Sequence, residues 1–216
     1  MAVVLYGCGS SIVVDIEETC ARLGIRIAAL VKNMPGADFA ISGAPVVAAD
    51  AITDELRSIP FTVPIFTPAH RRTASEEARR KGFASAATLI DPTAVVAASA
   101  TLGAGTYVNC GVAIGGAVSI GEFAFVNRNA SIGHHGQIAD FASVGPGATI
   151  AGRVRLGRGA VVCAGAVVLP EIEIGANSVV AAGAVVREPV GDHCLVAGNP
   201  ARLIKVDYAG YQHLSV

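Results

Sequence analysis

A six-residue period dominates the second half of this 216-residue chain. Counting in steps of six from Ile90 to Val186, every position is aliphatic. Neither an α-helix, which has about 3.6 residues per turn, nor a strand with a period of two keeps one face apolar at this spacing. Six residues per face and three faces make a coil of about 18 residues. The sequence therefore predicts a left-handed parallel β-helix of hexapeptide repeats over residues 89–190.

The composition and a second pattern fit such a core. Aromatic residues make up only 5% of the chain and Trp is absent, so the interior must be built from small, closely stacked pieces. The residue directly after the aliphatic position is often glycine. Because glycine adopts positive φ freely, we expect these glycines to lie in turns that require it. They are Gly103, Gly115, Gly121, Gly133, Gly145, Gly157 and Gly175.

The first 88 residues follow a different pattern, in which apolar runs alternate with amphipathic ones. Strands are predicted at 2–6, 25–31 and 62–66, and helices at 14–23, 52–58 and 73–80, with Gly24 and Gly82 at the ends of the first and last helices. Alternating strands and helices predict a Rossmann-like parallel α/β domain over 1–88. The tail, residues 191–216, follows the β-helix.

A glycine-rich turn follows the first predicted strand, where parallel α/β sheets bind ligands. Its amides and the following helix favour an anion such as a phosphate or a sugar phosphate, although a purely structural turn fits as well. A dinucleotide fingerprint is incomplete because Ile12 stands at its third glycine and Lys32 replaces the ribose-binding carboxylate. The candidate acceptor-binding residues are Gly7, Gly9, Ser10, Ser11, Lys32, Asn33 and Thr67.

Charge and cysteine content exclude several classes of function. The net charge of −1 gives no reason to expect a nucleic-acid or membrane partner. The five cysteines are odd in number and form no CxxC pair, which argues against a disulfide framework and predicts a cytoplasmic protein. The apolar run at 2–6 is too short for a signal peptide or a membrane span.

The order of these parts, together with the segments at 127–135 and 196–205, resembles the sialic acid O-acetyltransferase-like family of hexapeptide-repeat sugar acyltransferases. This family includes enzymes that act on UDP- or GDP-linked amino sugars. The resemblance implies an acetyl-CoA-dependent acetyltransferase that acetylates an amine or a hydroxyl of a sugar or nucleotide-linked sugar. It also implies a homotrimer with active sites between neighbouring β-helices, and no metal.

His134 falls on the position of the family's general base, and His135 stands where an Asp or Glu usually follows. Acyl transfer needs a base for the acceptor's proton, and histidine side chains titrate near neutral pH. Gly116 and Gly152 lie one coil away on either side of His134, so we expect open space for a pantetheine arm there. A surface histidine in a repeat corner is the alternative. His135 is expected to orient its neighbour or to be solvated.

The resemblance assigns further residues around this base. It places Asn127 in the active site, and Asn109 lies 18 residues earlier, so the two amides are expected to stack in a ladder. Arg202 and Lys205 either meet CoA phosphates or are ordinary surface charges. The resemblance implies acetyl-CoA contacts at Ser143, Gly152, Ala164 and Ala182.

Two other functions fit a β-helix. A γ-class carbonic anhydrase needs three histidines around a metal, whereas His70, His193 and His213 lie outside the coils. A non-catalytic trimer that binds a sugar nucleotide or a partner protein is the second alternative, and the missing carboxylate after His134 favours it. Stabilisation by acetyl-CoA distinguishes the enzyme from this scaffold.

Overall fold

The computed structural model describes residues 1–37 and 39–216. Its amino-terminal part is a four-stranded parallel sheet with the strand order β3-β2-β1-β4. Two short 3-10 helices lie at Ala49–Ala51 and Tyr211–His213. The strands are β1 (Ala2–Tyr6), β2 (Arg26–Lys32), β3 (Val46–Ala48) and β4 (Phe61–Thr62), and the helices are α1 (Val13–Leu23), α2 (Asp54–Arg57) and α3 (Pro68–Arg80).

The structure confirms the first strand and the first helix, which ends at Gly24 in the left-handed conformation. The strand predicted at 62–66 is wrong in its extent, because β4 ends at Thr62. Helix α3 starts five residues before the predicted start, since Thr67 and Pro68 supply the N-cap position and a first-turn proline. Lys81, rather than Gly82, is the cap residue at its other end. The short strand β3 was not predicted.

The repeat region, together with two strands of the tail, forms three sheets of five, eight and six strands, and every strand pair within the repeats is parallel. Stacked partners are 18 residues apart, as for Phe125 and Ser143, which confirms the predicted coil length. This arrangement fits a left-handed β-helix. Its strands, β5 to β21, are Leu89–Ile90, Val95–Val96, Thr101–Leu102, Tyr107–Val108, Ala113–Ile114, Ser119–Ile120, Phe125–Val126, Ser131–Ile132, Gln137–Ile138, Ser143–Val144, Thr149–Ile150, Arg155–Leu156, Val161–Val162, Val167–Val168, Glu173–Ile174, Val179–Val180 and Val185–Val186.

The aliphatic ladder fills the interior of the β-helix. From Val108 to Val186 its members are buried in one hydrophobic cluster, with the first coil only partly buried at the open end. The last coil is irregular: β22 (Leu195–Ala197) pairs in parallel with β20. It then pairs antiparallel with β23 (Arg202–Lys205), which ends the eight-stranded sheet.

The glycines that directly follow the inward aliphatic residues do not have positive φ, so the prediction of turns there is wrong. Positive φ occurs two residues later, as at Gly105. A Cβ on Gly103 would lie 2.5 Å from the backbone carbon of Gly121, and one on Gly133 would lie 2.6 Å from the Gly152 nitrogen. Glycine is needed because the next coil passes too close for any side chain.

Several polar contacts join the amino-terminal part to the β-helix, and two of them involve buried charged side chains. Arg71 of α3 is buried, with 1% of its surface exposed, and donates hydrogen bonds to backbone carbonyls on both sides of the junction. Asp91 accepts hydrogen bonds from Thr19 and Arg22 of α1. Burial would raise the pKa of Asp91, but the hydrogen bonds from Arg22, Thr93 and Thr19 outweigh it and lower the pKa to about 2.

Among the described helices, none has the length and apolar character that crossing a membrane requires.

Candidate active site

His134 lies in the turn between β12 (Ser131–Ile132) and β13 (Gln137–Ile138), which we call the His134 corner. Both His134 and His135 are exposed. Their Nδ1 atoms are 3.1 Å apart and their rings meet edge to face. One of the two Nδ1 atoms must donate this hydrogen bond and the other must accept it. When His134 Nδ1 donates, its Nε2 carries no proton and can act as a base.

The imidazole of His134 lies against Gly152 in the next coil. A Cβ built on Gly152 would be 2.7 Å from His134 Nε2 and 2.8 Å from its Cε1. The prediction of open space on this side is therefore wrong, because the ring of His134 itself fills that space. On the other side, a Cβ on Gly116 would meet only Ser99 Oγ, at 3.4 Å. Gly152 thus leaves the space in which the His134 imidazole packs.

If His134 is the general base that the sequence predicts, replacing Gly152 with alanine should lower kcat about tenfold or more, because the added methyl group displaces the His134 imidazole. The backbone of Gly152 is not in a region of positive φ, so the change in unfolding free energy should stay within about 0.5 kcal/mol. Steady-state kinetics and urea denaturation measure the two quantities. Gly116→Ala is the matched control, and equal kcat values for all three proteins would show that the imidazole is not held there.

Asn127 occupies a different corner, between the eight-stranded and six-stranded sheets. Its Oδ1 accepts hydrogen bonds from Asn109 Nδ2 at 3.0 Å and from the backbone N–H of Arg128 at 2.8 Å. This contact confirms the predicted ladder of stacked amides. Only 6% of Asn127 is exposed, and that part faces a cavity of about 530 Å³.

This cavity, which we call the corner cavity, lies beside the exposed residues Ala164 and Ala182. Small side chains there leave the backbone accessible, as the resemblance to CoA-binding enzymes implies. The opposite wall comes from the amino-terminal part and from the tail, which sequence reasoning missed. The cavity is lined by Phe66, Asn127, Pro146, Cys163, Ala164, Val179, Ala181, Ala182, Leu195, Tyr208, Tyr211 and Gln212.

Contacts with the rest of the molecule hold the tail over the cavity. The ring of Tyr211 packs edge to face on Phe66 at 5.7 Å, and Thr67 Oγ1 donates a hydrogen bond to Gln212 Oε1 at 3.1 Å. At the chain end, the backbone N–H of Val216 donates to Asn177 Oδ1 at 2.7 Å. Thr67 thus fixes the tail, although it was a candidate acceptor-binding residue.

Besides Gly152, three of the predicted CoA contacts lie outside the corner cavity. Ser143 has no exposed surface, and its hydroxyl bonds to the Phe66 carbonyl at 2.8 Å and to Arg71 at 2.9 Å. Its side chain is committed to the junction, because the amino-terminal part covers that strand. Arg202 and Lys205 are exposed on β23 and do not line the corner cavity.

The predicted acceptor residues meet at the carboxyl edge of the small sheet. Gly7 has φ +91° and follows β1, with Asn33 and Ile65 within 3.5 Å of a Cβ built on it. The amides of Gly7 and Cys8 donate to the Val31 carbonyl, so these two donors of the turn are used within the protein. The exposed amide of Gly9 and its neighbours at Ser10 and Ser11 make no such bond.

The second strand, predicted at 25–31, is β2, and it ends at Lys32, which is half-buried. Next to it, Asn33 Nδ2 donates a hydrogen bond to Glu77 Oε2 at 2.8 Å. Its amide group is thus partly used within the protein.

Within one chain, the His134 corner and the corner cavity are separated by the full width of the six-stranded sheet. The chain passes the cavity at Asn127, crosses this sheet in β12 and only then reaches His134. A base and an acyl donor must come within hydrogen-bonding reach of one acceptor. One chain alone therefore does not bring all the predicted catalytic residues together.

No group of three His, Cys, Asp or Glu side chains arranged to hold a metal ion occurs within residues 1–37 and 39–216. The histidines required by the zinc-enzyme alternative are therefore not assembled in this part of the chain.

Similarity to known proteins comes from solved structures. No protein-family model matches the chain, and neither does any curated protein. GDP-perosamine N-acetyltransferase from Caulobacter crescentus, solved as a histidine variant with CoA and GDP-perosamine, is 31% identical, with 94% of this chain and 96% of that chain covered and a TM-score of 0.84. The acetyltransferase domain of PglB from Neisseria gonorrhoeae, in complex with acetyl coenzyme A, is 26% identical, with coverage of 94% and 98% and a TM-score of 0.83. WeeI from Acinetobacter baumannii AYE shares the fold at 20% identity, with coverage of 94% and 100% and a TM-score of 0.79.

Proposed function

Because this chain belongs to the hexapeptide-repeat family of sugar N-acetyltransferases, we propose that it acetylates the amine of a nucleotide-linked amino sugar, with His134 as the general base. Acetyl-CoA is its acyl donor, and a sugar amine is its acceptor. The observation that supports the role of His134 best is its geometry: an exposed imidazole seated on Gly152, with Nδ1 fixed by His135. Membership of the sialic acid O-acetyltransferase-like group is part of this proposal.

In the proposed reaction, the acceptor nitrogen attacks the thioester carbonyl carbon while His134 Nε2 takes a proton from that nitrogen. The tetrahedral oxyanion then collapses, the C–S bond breaks, and the departing CoA thiolate takes up the proton that His134 has received from the acceptor. His135 Nδ1 accepts the hydrogen bond from His134 Nδ1 and so fills the orienting role that a carboxylate has in related enzymes. A neutral acceptor suffices for orientation, although it stabilises the imidazolium less than a carboxylate does.

The Rossmann-like assignment of residues 1–88 and their role in binding the acceptor belong to the same proposal. Support comes from the strand order of the small sheet and from the loop at Gly9, Ser10 and Ser11, which lies at its carboxyl edge. Ligands of open parallel sheets bind at this edge. GDP-perosamine is the ligand of the Caulobacter enzyme, so a related nucleotide sugar is the acceptor we propose. Residues 89–190 and 191–216 stay the predicted catalytic domain and tail, and a cytoplasmic location stays a prediction.

We further propose a homotrimer in which each site combines two chains. The outward side chains of the six-stranded sheet carry no charge, whereas those of the five-stranded sheet include Arg155 and Glu173. Val95 on the six-stranded sheet is 72% exposed. This sheet is bounded by the His134 corner and the corner cavity. Three-fold packing over it would bring the His134 corner of one chain to the cavity of the next.

Mixed oligomers test whether the site is shared. His134→Ala removes the base, and Ala164→Trp fills the corner cavity, so each variant alone should be nearly inactive. Trimers co-expressed from both variants and purified through two different tags should regain about a third of wild-type activity, because every mixed trimer has both parts intact at one of its three interfaces. Activity no higher than that of either variant alone would place the complete site within one chain.

The proposed function itself is tested by thiol release from acetyl-CoA in the presence of different acceptors. Release should be fast with amino sugars linked to GDP or UDP and slow with the same amino sugars lacking the nucleotide. Equal rates with free amino sugars would contradict an acceptor site in residues 1–88. Binding of acetyl-CoA without any transfer would instead support the non-catalytic trimer.

A further inference from the structure

Asp15 connects the loop expected to bind the acceptor with the β-helix. It lies in the first turn of α1, directly after that loop, and its side chain is 20% exposed. Its Oδ2 accepts a hydrogen bond from Arg128 and a second one from Asn109 Nδ2, the latter at 3.2 Å. Both partners belong to the β-helix, so one carboxylate joins the two parts of the chain.

The contact with Asp15 helps to fix which way the amide of Asn109 points. The backbone N–H of Cys110 donates to Asn109 Oδ1 at 2.7 Å, while a carboxylate can only accept and therefore requires Nδ2 on its side. The second hydrogen of Nδ2 is then directed at Asn127 Oδ1, at 3.0 Å. The orientation of Asn109 is set from both ends.

The hydrogen bond from Asn109 in turn fixes the orientation of the Asn127 amide. Its Oδ1 is occupied by Asn109 Nδ2 and by the backbone N–H of Arg128, so Nδ2 must point away from both. In the described part of the chain, no acceptor pairs with this Nδ2. Because Asn127 lines the corner cavity, its N–H donors are available to a ligand there.

We propose that Asp15 is a positioning residue for the acetyl transfer, which holds Asn127 through Asn109 with its amide donors directed into the corner cavity. The inference rests on the proposed function, in which that cavity holds the acyl donor. A carbonyl oxygen of the acyl-pantetheine arm is the kind of acceptor that such donors recognise. Asp15 also keeps α1, and with it the acceptor loop, in register with the acyl site.

A double-mutant cycle on the full-length protein tests this role. Asp15→Ala should lower kcat about tenfold, because Asn109 Nδ2 loses its carboxylate acceptor and α1 loses its contact with Arg128. Asn127→Ala should lower kcat at least as much, and the double variant should be no slower than Asn127→Ala. Asp15→Asn keeps an acceptor oxygen for Asn109, so its kcat should stay within about threefold of wild type.

Glu122→Ala is the matched control, since Glu122 pairs with Arg79 at 3.0 Å across the same junction without reaching Asn127. Its kcat should equal that of wild type. Multiplicative losses in the double variant, or a loss in Glu122→Ala equal to that in Asp15→Ala, would overturn the inference by making Asp15 a merely structural contact. A wild-type kcat for Asn127→Ala would overturn the inference together with the proposed use of the cavity. A normal kcat for Asp15→Ala beside an impaired Asn127→Ala would overturn the inference alone.

Discussion

Replacing His134 with alanine should lower kcat by about a hundredfold or more, the usual loss when a positioned general base is removed. The acetyl-CoA dissociation constant should change little, because in the proposed reaction His134 takes the acceptor's proton and is not among the residues proposed to hold acetyl-CoA. Stopped-flow or steady-state assays of thiol release measure kcat, and calorimetry measures binding. Because an inactive variant that still binds acetyl-CoA remains folded, the two measurements together separate lost chemistry from lost structure.

Two controls sharpen the test of His134. His135→Ala should lower kcat less than His134→Ala, since it removes only the proposed hydrogen-bond partner of His134 and leaves the proposed base in place. His70 is an exposed histidine on α3 that does not line the corner cavity, so His70→Ala should leave kcat unchanged. A His134→Ala enzyme with wild-type kcat, or a larger loss in His135→Ala, would assign the base to another residue.

Replacing Arg71 with methionine should lower the free energy of unfolding by about 4 kcal/mol or more, among the largest effects of any single change in the chain. Its guanidinium is buried, and the backbone acceptors it bonds would lose their donors, each loss costing about 1–3 kcal/mol. These acceptors are the carbonyls of Ile65, Phe66, Phe123, Phe141 and Ala142, at 2.6 to 3.2 Å, and the hydroxyl of Ser143 is a further partner at 2.9 Å.

Urea denaturation followed by circular dichroism measures this effect. Arg79→Met is the matched control, because Arg79 lies on the same helix but is 53% exposed and forms one surface ion pair, with Glu122, so its loss should cost less than about 1 kcal/mol. If the methionine variant does not fold, Arg71→Lys keeps a charge and fewer donors, and it should still unfold at lower urea than wild type. Equal stability of the Arg71 and Arg79 variants would show that the junction does not depend on the buried guanidinium.

The β-helix could be predicted from the sequence because its period is local and unbroken. Each aliphatic position from Ile90 to Val186 specifies one inward side chain, and stacking repeats the same choice in every coil. The reason for the glycines at positions such as Gly133 could not be found in this way. Glycine is required at these positions by the short distance between stacked coils, and the repeat pattern of the sequence contains no information on that distance.

The candidate site was predicted only in part. The resemblance named His134, Asn127, Ala164 and Ala182, and the structure places the last three around one cavity. The tail that closes this cavity lacks any repeat or motif, so its contact with Phe66 is visible only in the folded chain. Arg71 was missed for a different reason.

The helix that carries Arg71 was predicted to begin at Thr73, although Thr67 and Pro68 form a helix-start signal that would have included Arg71. Ser143 was assigned a contact that the fold does not leave open. The resemblance placed it in the acetyl-CoA site, but the amino-terminal part of the same chain covers it, because α3 brings Arg71 over its hydroxyl.

The most direct test of the central claim is mass spectrometry and NMR of the product formed from acetyl-CoA and a nucleotide-linked amino sugar. Wild-type protein should yield one acetyl group bound to the sugar nitrogen, in amounts equal to the thiol released, and His134→Ala should yield almost none. An acetyl group on a sugar oxygen, or product formation that is the same in the His134 variant, would contradict N-acetyl transfer with His134 as the base.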